Sequence, residues 1–108
     1  MIRFLPATAP DGFFRFEAFV DEKLAGCCSF RIDGYQMEFT AIDCDDPLLA
    51  DGLLRAAMNY AANRNAYIAR AGAGVADRAL RLLGFQGADM LTAEIPEVLM
   101  NCACGHQE

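Results

Sequence analysis

The 108-residue chain has no apolar run approaching the roughly 18 residues a membrane helix needs, and the run at its start, Met1 to Pro6, is too short for a secretory signal. A cytoplasmic protein with no membrane partner is the expectation. Positive charge is scarce too: nine Lys and Arg stand against fifteen Asp and Glu, for a net charge of −6. That balance repels phosphate backbones at long range and argues against a nucleic-acid partner. An even set of cysteines is also missing. There are five, and adjacent Cys27 and Cys28 on a strand face opposite ways, so reduced thiols acting as small core hydrophobes fit better than a disulfide framework. No Ser/Gly-rich stretch, charge block or internal repeat interrupts the chain, and 55% hydrophobic against 22% charged residues can build a core. The length suits one domain, expected over residues 1–100, with 101–108 as a flexible tail beyond the last apolar run.

What is present is periodicity. Phe14, Phe16, Ala18 and Val20 alternate with Arg15, Glu17 and Phe19, the signature of a half-buried strand. A turn at Asp21 to Lys23 leads to a second strand over Leu24 to Ile32. Asp33-Gly34 predicts a type I′ hairpin, and a third strand follows with Tyr35, Met37, Phe39 and Ala41 on one face. Ile2 to Leu5 predicts an edge strand whose pairing Pro6 and Pro10 end. Asp46-Pro47 is an N-cap followed by a residue suited to the first helical position, and the apolar stripe from Leu49 to Ala61 predicts a helix closed by Asn65 in a left-handed conformation. Tyr67-Ile68-Ala69 then predicts a strand parallel to the third one, reached by a right-handed crossover. Val75 to Leu83 predicts a second helix closed by Gly84, with Phe85 packing back on it. Met90 to Glu94 predicts a further strand, and Pro96 to Leu99 a terminal helical turn. The fold class is therefore α+β: an antiparallel meander, a β-α-β crossover and a second helix on one mixed sheet.

This order, with Ala57 to Ala66 (AMNYAANRNA) running into Tyr67-Ile68-Ala69 and a second helix ending Leu82-Leu83-Gly84-Phe85, resembles the GNAT acyltransferase superfamily over residues 13–95. The resemblance implies an acyl-CoA ligand, acetyl-CoA or another, whose pantetheine arm lies where the third strand splays from the Tyr67 strand. It implies that backbone N–H groups at the start of the long helix hold the pyrophosphate. The cofactor-binding residues so implied are Cys44, Ala50, Asp51 and Gly52. Of the family's Gln/Arg-x-x-Gly-x-Gly/Ala pattern, one alignment keeps only Ala50, with Asp45 at the basic position. A shifted alignment keeps Ala50 and Gly52 with Pro47 there, so the site reads as degenerate. The family's proton-donating tyrosine falls at Leu80, and residues 6–12 stand where two acceptor-binding helices usually lie. No catalytic residue is assigned.

Other candidates carry alternative readings. Glu38 and Asp43 fit a general base or a solvated strand face. Cys44 fits a structural thiol, its pKa raised by Asp43, Asp45 and Asp46. Arg55, Arg64, Arg78 and Arg81 fit helix surfaces or an anion site. Cys102, Cys104 and His106 are too few for a tetrahedral metal site within one chain, so no metal is assigned. Two functions lead, an acyl-CoA-dependent N-acyltransferase and a non-catalytic binding or dimerisation module, and a third, a small metal-binding regulator, rests on the tail alone. Four phenylalanines between Phe13 and Phe19 put aromatics on both faces of the meander and predict a homo-oligomer.

Overall fold

The structure, a computed structural model, describes residues 1–72 and 74–100. Among the described residues, six strands lie side by side in chain order: β1 (Ile2–Ala7), β2 (Phe14–Val20), β3 (Lys23–Asp33), β4 (Gln36–Asp43), β5 (Ile68–Gly72) and β6 (Met90–Glu94). Every neighbouring pair is antiparallel except β4 and β5, which run parallel. Three helices complete the fold: α1 (Pro47–Ala62) in the β4-to-β5 crossover, α2 (Asp77–Leu82), and α3 (Ile95–Met100) directly after β6. The α+β meander and crossover read from the sequence are thus present. No described helix is long and apolar enough to cross a membrane. The readings of Cys102, Cys104, His106 and the tail fall outside the described residues.

Alternation in the strands and 3.6-residue periodicity in the helices meet in one core. Phe14, Phe16 and Phe30 surround the Tyr60 ring of α1, with centroids 5.3–6.2 Å apart. Met37 and Phe39 of β4, Ala69 and Ala71 of β5, and Leu91 of β6 continue that face, and Leu80, Leu83 and Phe85 pack on it. α1 buries seven residues, among them Leu53, Leu54 and Met58 with no exposure, each contributing about 1.5–3 kcal/mol. Gly84 (φ 104°) ends α2 and lets the Phe85 amide donate to the Leu80 carbonyl, the predicted glycine cap. Arg55 donates to the Val98 carbonyl and ties α3 to α1. All three helices lie over this face, and no described helix covers the opposite one.

Several local expectations are corrected. Pro6 does not end pairing: it sits opposite Phe16, and Ala7 opposite Arg15, because an edge strand has one side on which a missing N–H is tolerated. Asp33 pairs with Gln36, so the hairpin loop is Gly34-Tyr35 and only Gly34 has positive φ (63°), the type II′ pattern. Type I′ dihedrals occur one hairpin earlier, at Asp21 (φ 51°) and Glu22 (φ 70°). A bulge leaves Thr40 unpaired, so Ala41 turns outward and Ile42 packs against the core. β5 starts at Ile68 and runs to Gly72, and α2 starts at Asp77 because Ala76 is left-handed (φ 44°).

Candidate functional site

The parallel rungs between β4 and β5 stop at Phe39 opposite Ala71, although β4 runs on to Asp43. Past that rung the two strands share no pairing, which opens a fork between them. Cys44 follows β4 and closes over Gly26, where a β-carbon would come within 2.7 Å of the Cys44 sulfur. Its thiol pKa is raised, first by burial and then by Asp46, Asp45 and Asp43, as the flanking acids led us to expect. It is a neutral thiol at physiological pH and adds no charge to the site.

The start of α1 is fully capped. The Asp46 carboxylate accepts from the amides of Leu48 (3.0 Å) and Leu49 (3.4 Å), Pro47 has no N–H, and the Ala50 amide donates to the Asp46 carbonyl (2.8 Å). The amides of Leu48 and Leu49, which a helix start normally offers to an anion, are therefore engaged within the chain.

Between the start of α1 and α2 lies an open cavity of about 310 Å³. Cys44, Asp45, Pro47 and Ala50 form one wall, and Ala76, Arg78, Ala79 and Leu82 the other. Arg78 is exposed and makes no hydrogen bond or ion pair among the described residues. The other three arginines on or beside the helices are engaged: Arg55 with Asp51, Arg64 with the Tyr60 carbonyl and ring, Arg81 with the Gly87 carbonyl. The cavity thus has apolar walls and a cation that no pattern at the start of α1 could reveal. The only sequence signal for it is a basic residue just after the glycine-containing link between β5 and α2.

Of the four cofactor-binding residues implied by the resemblance, Cys44 and Ala50 line this cavity. Asp51 is instead paired with Arg55 at 3.0 Å, one turn along α1. Gly52 rests against the Phe4 ring of β1, where it lets the helix approach the sheet edge. Leu80 is fully buried in the core and cannot take the place of a proton donor. Glu38 lies on the helix-free face, accepting from Arg31 (3.1 Å) and Arg70 (3.4 Å) with one carboxylate oxygen. It occupies the last rung but one before the fork. Arg70 Nε beside it is buried without a partner among the described residues, next to a recess of about 10 Å³, the size of a single water. Asp43 is exposed on the same face, opposite Cys27.

A larger cavity, about 360 Å³, borders β6 near Glu94 and Glu97. It includes Ile68, at the opposite end of β5 from the fork, and its two carboxylates disfavour phosphate, so the smaller cavity suits an anion better.

Solved structures share this fold. A GNAT family acetyltransferase from Elizabethkingia anophelis with acetyl-CoA bound matches over 86% of this chain and 97% of its own, with a TM-score of 0.70 at 15% identity. The chain has the GNAT acetyltransferase fold. An IAA acetyltransferase from Bacillus cereus matches over 87% and 99% with a TM-score of 0.72 at 11% identity. The PaiA N-acetyltransferase from Thermoplasma acidophilum in complex with coenzyme A matches over 77% and 61% with a TM-score of 0.65 at 15% identity. No family model matches the chain, and no curated protein matches it in sequence.

Proposed function

We propose that this GNAT-fold chain is an acyl-CoA-dependent N-acyltransferase with a weakened donor site. The observation that carries the reading is the fork beyond Phe39 and Ala71 beside a cavity that presents Arg78. Acyl-CoA combines an anionic pyrophosphate with a thin, largely uncharged arm. Arg78 suits the first, and the walls of Ala50, Ala79 and Leu82 suit the second. Beyond Phe39, β4 has no β5 partner for its amides, and one of them would polarise a thioester carbonyl for direct attack by an amine.

The donor site is weakened for two reasons. Asp46 occupies the amides of α1, and Asp45 stands in the cavity wall. A carboxylate about 6 Å from a phosphate opposes it by roughly 3 kcal/mol before screening, about two orders of magnitude in affinity. The same capping, with Leu80 buried, favours the second reading, a non-catalytic binding or dimerisation module.

Calorimetric titration with acetyl-CoA at low salt decides between them. We expect a dissociation constant above about 100 μM, weakened at least about fivefold by Arg78→Ala, whereas micromolar binding would mean an intact donor site and favour the enzyme reading. Absence of heat at millimolar ligand would leave the binding module.

A further inference from the structure

We infer that the helix-free face of the sheet is an interface between two copies of this chain, set face to face about a two-fold axis. Only one side of the six-stranded sheet carries helices among the described residues, and the other is left open. The bare side is neither uniformly polar nor uniformly charged. Leu24 stands opposite Phe19, whose partner on β1 is Arg3, and Leu5 lies two residues further along β1, so apolar side chains from three strands share this part of the face. Phe19 is half-buried, while Leu5 and Leu24 are 37% and 56% exposed.

Charge selects the occupant. A two-fold interface sets a patch against its own copy, so a patch of one sign repels itself. The bare face carries four of the nine basic residues: Arg3, Arg15, Arg31 and Arg70. Against them stand Glu17, Asp33, Glu38, Asp43 and Glu94. Four against five is close to balance, whereas the rest of the chain holds five basic residues against ten acidic. The charges are also interleaved, Arg15 with Glu17 at 3.1 Å and Arg31 with Glu38 at 3.1 Å, so each sign can meet its opposite across the axis. A face so balanced can approach its own copy without net repulsion, although the protein as a whole is acidic. The fork between β4 and β5 opens beside it, so a second copy would supply a wall that residues 8–13, between β1 and β2, are too few to build.

Light scattering across about 10–500 μM tests the interface. The wild type should reach twice the 11.8 kDa of one chain. Leu24→Glu, at an exposed position that tolerates the change without unfolding, should give a monomer with unchanged circular dichroism. Leu82→Glu, on the helix side, should leave the dimer intact. A wild type monomeric at the highest concentration overturns the inference and leaves the face to solvent or to a different protein. A dimer lost in Leu82→Glu but kept in Leu24→Glu overturns it in favour of the helix side. The cavity between α1 and α2 stays open in this pairing, so acetyl-CoA titration and light scattering succeed or fail separately.

Discussion

A methyl group or a single proton is enough to disturb this core at two positions. Cys28 faces the aromatic cluster with 1% exposure, and burial pushes its thiol from the ordinary 9.0 up to about 12. The folded state therefore holds the proton that the unfolded chain releases near pH 9. Stability from this group is complete below pH 9 and falls as pH rises toward 12, by about 1.4 kcal/mol per unit. Chemical denaturation at pH 8 and pH 10 should show that loss, and Cys28→Ala, less stable at pH 8, should show a smaller further loss at pH 10. An equal pH dependence in both proteins would mean that another group dominates. Gly52 is the second case. Alanine at mid-helix normally gains about 1 kcal/mol, but here its methyl meets the Phe4 ring. Gly52→Ala should lower the melting temperature, and in Phe4→Ala it should be neutral or stabilising, a coupling of at least about 0.5 kcal/mol. Stabilisation by Gly52→Ala alone would show that the ring moves aside freely.

The elements show how one residue can serve a helix and weaken a site. Asp46 is a strong N-cap, and the same carboxylate that starts α1 engages the amides of Leu48 and Leu49. Glycine at an N-cap costs only a few tenths of a kcal/mol relative to aspartate, so Asp46→Gly should leave melting nearly unchanged. It should tighten acetyl-CoA binding about tenfold or more by freeing two donors and removing a charge, measured by the same titration. Unchanged affinity with retained stability would place the ligand away from the helix start. The hairpins teach a related lesson. Asp33-Gly34 is a strong turn signal, yet register moved the loop to Gly34-Tyr35, since pairing Arg31 with Glu38 and Ile32 with Met37 keeps the apolar residues on one face.

At the scale of the whole molecule, burial and separation in sequence explain what was legible. Alternation from Phe14 to Val20, the Asp46-Pro47 helix start, the parallel strand after α1 and the Gly84-Phe85 cap each depend on neighbours within a turn or a rung, and the structure shows all four. The order of those elements also resembled the GNAT family, and solved GNAT structures share the fold. Two of the four implied site residues, Cys44 and Ala50, reach the cavity, since they flank the helix start itself. The remainder was decided only in three dimensions. Arg78 is 28 residues beyond Ala50 and shares a cavity with it because α1 and α2 pack on the same face. Asp51 turned to Arg55 and Gly52 to Phe4 because each points where its neighbours on α1 and β1 happen to be. The bulge at Thr40 and the helix-free face likewise have no local signature. Sequence by itself determined the order of strands and helices and the apolar side of most of them, because those preferences are local. Only the tertiary structure decided which distant side chains share a cavity and which face stays bare, because those depend on how whole elements pack.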